Sequence, residues 1–60
     1  MLVKIKDAYE RNIFVNPYNV AMIDVEARII IISGATGYNN GVIHTDEDSI
    51  KELIGCMALM

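Results

Sequence analysis

The side chains best suited to acid–base or nucleophilic catalysis in this 60-residue chain are its one histidine, His44, and its one cysteine, Cys56. A catalytic nucleophile needs its base within hydrogen-bond reach. No serine or cysteine adjoins His44 in sequence. Cys56 falls near the C-terminal end of a predicted helix, where the helix dipole disfavours a thiolate. The sequence therefore predicts a protein that is not an enzyme and that uses no cofactor.

Possible metal ligands gather at the start of the same predicted helix, where His44 is followed by Asp46, Glu47 and Asp48. Consecutive helical residues point in different directions, so these side chains do not converge on one ion. The run also lacks the alternating ligands and central glycine of a calcium-binding loop. Acidic residues in a first helical turn are explained by the helix dipole. We expect no metal site.

A glycine-rich segment, residues 34–41, is similar in composition to a phosphate-binding turn. A dinucleotide-type site needs a helix directly after the glycines, whereas a strand is predicted here, which favours an ordinary hairpin loop. The loop nevertheless presents hydroxyl, aromatic and amide groups at Thr36, Tyr38, Asn39 and Asn40. Groups of these types recognise a polar, base-bearing ligand without reacting with it.

A second polar and aromatic cluster lies at the predicted turn of residues 16–19 and includes Tyr18 and Asn19. Ordinary turn chemistry accounts for it. In an oligomer, however, the Tyr18 turn of one protomer and the Tyr38 loop of another would form an interfacial pocket. Phosphates on the ligand would require a nearby cation, for which Arg28, Lys4 and Lys6 are candidates. The predicted ligand-binding residues are Tyr18, Asn19, Arg28, Thr36, Tyr38, Asn39 and Asn40.

The elements that must position these groups follow from the hydrophobic pattern. Alternating or β-branched apolar residues predict strands at residues 2–6, 12–16, 20–26, 29–32 and 41–45. Thr45 is the predicted N-cap of a C-terminal helix, since acidic residues follow it. The predicted apolar stripe of this helix is Ile50, Leu53, Ile54, Met57 and Ala58. The expected fold is α+β, a small curved antiparallel sheet of four or five strands with the helix packed on one face.

Composition limits the possible functions and partners. Residues 1–60 are expected to form a single domain, and a net charge of −3 argues against nucleic-acid binding. Apolar runs such as Ile29–Ile32 are far too short for a membrane span. One cysteine without a partner suits a reducing compartment, so we expect a cytoplasmic protein. A hydrophobic content of 53% and a strand that is apolar on both faces predict a homo-oligomer.

Several segments carry a resemblance to known proteins. They are residues 14–17 (Phe-Val-Asn-Pro) with Val20 and Ile23, residues 29–34, residues 42–45 and residues 49–54. Over residues 2–57 the chain resembles the small FlbD/SwrD family of flagellar and swarming-motility proteins, and also related short phage proteins. The resemblance implies a non-enzymatic accessory protein with this order of strands and helix. In style alone, the chain is similar to anti-defence sponge proteins of phages, which trap nucleotide signals between protomers.

The sequence thus leads to one expected function and one alternative. The expected function is that of a self-associating, phage-type binding protein that sequesters a small nucleotide-like ligand. The alternative is an adaptor or inhibitor that binds a host protein, such as a motility accessory protein. Neither function requires a catalytic residue.

Overall fold

The computed structural model describes residues 1–34 and 39–60 and places five short strands and one helix in them. In chain order the elements are β1 (Val3–Lys6), β2 (Asn12–Val15), β3 (Val20–Asp24), β4 (Ile29–Ile32), β5 (Val42–His44) and α1 (Glu47–Met57). β1 pairs antiparallel with β2, and β3, β4 and β5 form a separate antiparallel sheet in that order. The prediction of a small antiparallel α+β fold with a C-terminal helix is confirmed. The prediction of one sheet of four or five strands is wrong.

The two sheets meet at a single bridge, between Asp7 and Thr45. Beyond that bridge, the end of β1 bonds to side chains at the start of the helix and not to another strand. The backbone N–H of Lys6 donates to the Ser49 hydroxyl at 2.9 Å, and the Thr45 hydroxyl donates to the carbonyl of Lys6. Side chains of the helix start therefore satisfy the backbone groups of β1 that a longer β5 would otherwise bond, and the two sheets remain separate.

The core forms where the two sheets and the helix meet. β1 has the predicted alternation, with Val3 and Ile5 buried and Lys4 and Lys6 exposed. Its inward side chains pack with Val15 of β2 and with residues of the three-stranded sheet and of α1. The buried cluster is Val3, Ile5, Val15, Ile30, Ile43 and Leu53. Burial of these branched side chains is the main favourable term for so small a domain.

Helix α1 begins one residue later than predicted. Asp46, not Thr45, is the N-cap, because the carboxylate of Asp46 accepts a hydrogen bond from the Ser49 N–H at 2.7 Å. Thr45 is unavailable as a cap because it forms the bridge to Asp7 and its hydroxyl bonds to Lys6.

The apolar stripe of α1 also differs from the predicted one. Ile50 and Leu53 are buried and Met57 is half-buried, as predicted, but Ile54 and Ala58 are exposed. Ser49, which is buried, and Cys56, which is half-buried, face the core instead. Ser49 tolerates burial because its hydroxyl bonds to the backbone of β1.

The N-cap gives the stability of the protein a predictable pH dependence. The pKa of Asp46 lies below its usual value of 3.8, chiefly because the backbone N–H of Ser49 donates to the carboxylate. The Ser49 hydroxyl also lowers this pKa, burial acts in the opposite direction, and the charge of Lys6 lowers the pKa further. A lowered folded-state pKa stabilises the fold fully above pH 3.8, and this stabilisation is lost as the pH falls through the lowered value.

Two substitutions test this cap. Asp46→Ala removes the hydrogen bond, and we expect it to lower the free energy of unfolding by about 0.5–2 kcal/mol at pH 7. Asp46→Asn keeps a capping oxygen but does not titrate, so its difference from the wild type should shrink as the pH falls below 3.8. Urea unfolding between pH 7 and pH 2 measures both effects. Glu52→Gln, at an exposed position in the helix middle, is the control. A difference between Asp46→Asn and wild type that grows at low pH would contradict the assignment.

Candidate binding groove

A groove of about 320 Å³ opens between the β1–β2 hairpin and the three-stranded sheet. Its lining residues are Leu2, Ile13, Phe14, Val15, Asn16, Asn19, Ile32, Gly41 and Ile43. Val15 and Ile43 belong to the buried core, so the groove reaches the core from the surface. Side chains of Leu2 and Phe14 are each 62% exposed and stand at its rim. The groove therefore combines an apolar floor with an apolar, solvent-accessible rim.

The turn after β2 places two amide side chains at this groove. Pro17 begins a 3₁₀ turn, Pro17–Asn19, and the side-chain oxygen of Asn16 accepts from the Tyr18 N–H at 3.0 Å. The Asn16 amide nitrogen still has two donors for a ligand. Among the described residues the Asn19 side chain has no hydrogen-bond partner. Tyr18 is 72% exposed and is not among the residues that line the groove.

The described ends of the loop predicted to meet the Tyr18 turn across an oligomer lie near that turn within one chain. The backbone N–H and the hydroxyl of Ser33 donate to the Asn19 carbonyl at 2.7 Å and 3.0 Å. At the other end of the loop, Gly41 lines the same groove. The two ends of the loop are thus close to the turn without a second protomer.

The described ends of this loop have the left-handed backbone that its composition predicts. Gly34, Asn39, Asn40 and Gly41 all have positive φ, a conformation that glycine and asparagine tolerate best. The Asn39 amide donates to the carbonyl of Val42 at 3.0 Å and so fixes the turn into β5. This bond gives Asn39 a structural role, and neither Asn39 nor Asn40 lines the groove. The predicted contacts Thr36 and Tyr38 lie outside the described residues.

Arg28 lies at the end of β4 remote from the groove. β3 ends at Asp24, two residues before the predicted end, because the Asp24 carboxylate accepts from the Ala27 N–H and closes the turn. Arg28 ends this turn with a φ of 58°, and its carbonyl accepts from the Thr45 N–H. Arg28 and Ser33 flank β4 at opposite ends, which separates them by about 16 Å at about 3.3 Å per residue. This placement sets Arg28 apart from Asn19, and the ligand contact of Arg28 stays a prediction.

None of the described residues that line the groove is charged. The nearest cation by strand pairing is Lys4, which is directly opposite Phe14 in the β1–β2 ladder, so both side chains lie on the same face. Both are exposed. A ligand seated in the groove would meet the charge of Lys4 where it extends past Phe14.

The residues with catalytic or metal-binding chemistry are dispersed. His44 is exposed on β5, whereas Cys56 is half-buried against the core from the helix. Within residues 1–34 and 39–60, no group of three or more histidine, cysteine or acidic side chains is arranged to hold a metal ion. In the same residues, no helix has the length and apolar character needed to cross a membrane.

The apolar lining of the groove was not predicted from the sequence. Phe14 offered one signal, because it occupies an outward position in the alternation of β2, where a polar residue is usual. Leu2 gave no such signal, since a terminal apolar residue is ordinary. Comparison with protein-family models, with curated proteins and with solved structures found no match to this chain. The resemblance to motility proteins therefore stays a prediction.

Proposed function

We infer that this chain is a non-enzymatic binding protein whose groove holds the flat, mostly apolar part of a small ligand, such as a nucleobase. The observation that carries this inference is the groove itself, with a volume of about 320 Å³ and an apolar lining that includes two amides. Small-molecule sites typically have volumes of roughly 300–1,000 Å³ and combine apolar walls with a few polar groups that fix orientation. Asn16 and Asn19 supply those groups.

The charge distribution narrows the ligand class. Burying a phosphate against an uncharged apolar lining would carry a large desolvation cost. The ligand part inside the groove is therefore uncharged, and a phosphate would have to lie outside, beyond Phe14 and toward Lys4. This arrangement is compatible with a nucleoside or with a nucleotide whose phosphate projects from the groove. A protein that sequesters a nucleotide-like ligand, the function expected from the sequence, would hold the base in the groove and leave the phosphate outside.

Native mass spectrometry of the full chain purified from cells is the first test of ligand binding. We expect a noncovalently retained mass of roughly a few hundred daltons per chain, the ligand size that suits such a groove. The second test uses adenosine as the probe in a nuclear magnetic resonance titration. Amide shifts should concentrate at Asn19, Ile32 and Gly41, which line the groove. Adenosine monophosphate should bind more weakly after Lys4→Gln, whereas adenosine binding should not change.

Asn19→Ala provides the matched test of the groove. Loss of one hydrogen bond, worth about 1 kcal/mol, should weaken adenosine binding roughly fivefold. Asn12→Ala is the control, because Asn12 is an exposed asparagine on β2 that does not line the groove. The inference fails if no mass is retained and if none of the four common ribonucleosides shifts these amides. It also fails if the Asn12 and Asn19 variants weaken binding equally.

A protein-binding function is the second candidate, and the exposed rim of the groove favours it. Leu2 and Phe14 are large apolar side chains that are mostly exposed, and such groups beside a groove suit an apolar segment of a partner protein. Retention of a polypeptide in place of a small molecule in the native mass spectrum would decide for this function. Phe14→Ser should then release the polypeptide, while Asn19→Ala should leave it bound.

A further inference from the structure

The three-stranded sheet has two different faces. Residues directly opposite each other on neighbouring strands have side chains on the same face. The row of Ile23, Ile30 and Ile43 faces the core. The outer face consists of two rows, one with Met22, Ile31 and Val42 and the other with Asp24, Ile29 and His44.

The outer face is mostly apolar and partly accessible to solvent. Ile29, Ile31 and Val42 are half-buried, and Met22 is 54% exposed. Helix α1 packs against β1, so it does not cover this face. Contiguous apolar side chains of this kind commonly mark an interaction surface.

The polar side chains on the outer face are placed so that a second copy complements them. Asp24 on β3 and His44 on β5 flank Ile29 in one row, at opposite edges of the sheet. A twofold axis parallel to β4 places the β3 of one copy over the β5 of the other. Asp24 then faces His44 of the second copy, and the reciprocal pair forms by symmetry. A twofold axis across the strands would instead place Asp24 over the apolar side chain of Met22, so the polar positions favour the first arrangement.

We propose that this face binds a second copy of the chain in a symmetric, face-to-face dimer, with Ile29 and Ile31 at the axis and two reciprocal Asp24–His44 contacts at the edges. Met22 of each copy packs on Val42 of the other. The two sheets would be roughly 10 Å apart, the usual spacing for packed sheets. The dimer face is separate from the groove, so dimerisation does not depend on the proposed ligand.

The small area of the face determines the strength of the dimer. Three short strands cover much less than the roughly 800 Å² per partner of a standard interface. The dimer is therefore weak, with a dissociation constant on the order of 0.1 mM. Association at this strength is reversible and responds measurably to single substitutions.

Sedimentation equilibrium of the full chain from about 20 μM to about 1 mM, a range around that dissociation constant, tests the proposal. The average mass should rise from monomer toward dimer and no further. Ile31→Lys puts two like charges at the axis and should keep the protein monomeric. Ile54→Lys is the matched control, because Ile54 is an exposed isoleucine on the helix, and it should dimerise as the wild type does. Circular dichroism confirms that both variants fold; should Ile31→Lys unfold, Met22→Lys at the more exposed edge replaces it.

Charge changes at position 44 test the arrangement of the two copies, because they leave the Asp24 carboxylate that closes the β3–β4 turn in place. His44→Asp sets Asp24 of one copy against the new carboxylate at position 44 of the other and should weaken dimerisation at least about tenfold. His44→Lys sets a cation against Asp24 and should dimerise at least as strongly as the wild type. A wild-type protein that stays monomeric at about 1 mM would overturn the proposal. So would loss of dimerisation in the Ile54 variant but not in the Ile31 variant, or a His44→Lys variant that dimerises as weakly as His44→Asp.

Discussion

Leu53→Ala is expected to lower the free energy of unfolding by about 3–5 kcal/mol, the upper range for a leucine truncated in a core. Leu53 is fully buried, and it is the residue of α1 that belongs to the cluster joining both sheets. Truncation leaves a cavity that the surrounding strands cannot fill without losing their own packing. A 60-residue domain has a total stability of roughly 3–9 kcal/mol. The variant should therefore be substantially unfolded at 37 °C.

The neighbouring residue provides a matched control for this prediction. Ile54 has a side chain of equal size but is 43% exposed, so Ile54→Ala should cost no more than about 1 kcal/mol. Urea unfolding, followed by circular dichroism on dilute samples, measures both variants. The sequence pattern alone assigns Leu53 and Ile54 to the same apolar stripe. Equal losses of stability would support that stripe and would contradict the orientation of the helix in the structure.

Local features of the fold were predictable because they depend on local chemistry. The alternation of β1 and the four consecutive isoleucines of β4 set these strands almost without reference to the rest of the chain. The separation of the sheets was not predictable in this way. It depends on the hydrogen bonds that Lys6 forms with Ser49 and with Thr45, which are 43 and 39 positions away in sequence. The bond to Ser49 also brings that residue into the core, which a hydrophobicity pattern cannot indicate.

The candidate site was predictable in part for a similar reason. Asn19 was identified because asparagine beside a proline turn is a local signal, and the structure places it at the groove. Arg28 was selected by charge alone, and the pairing of β3 with β4 places it in the turn between them, at the end of β4 remote from the groove. Residues that line the groove from different elements, such as Leu2 and Ile32, share no sequence pattern. Their proximity follows from how the two sheets pack together.

The second large expected effect concerns Asp7, which organises the loop between β1 and β2. Its side chain is 1% exposed. One carboxylate oxygen accepts from the backbone N–H groups of Tyr9 and Arg11 at 2.9 Å and 2.8 Å, and the other accepts from Arg11 Nε at 2.8 Å. The Asp7 backbone also forms the bridge to Thr45 that joins the two sheets. The carboxylate therefore holds the loop at the point where the halves of the fold meet.

Asp7→Ala removes these acceptors and leaves backbone donors of the loop without partners, so we expect a loss of about 2–4 kcal/mol in the free energy of unfolding. Asp7→Asn keeps one oxygen for the backbone N–H groups but turns an amide donor toward Arg11. Its loss in the free energy of unfolding should be smaller than that of Asp7→Ala. Arg11→Ala should cost least, about 0–1 kcal/mol, because the Arg11 side chain is 60% exposed. Urea unfolding gives this order directly. If Arg11→Ala cost as much as Asp7→Ala, the ion pair would dominate, and the backbone bonds would not be the main contribution of Asp7.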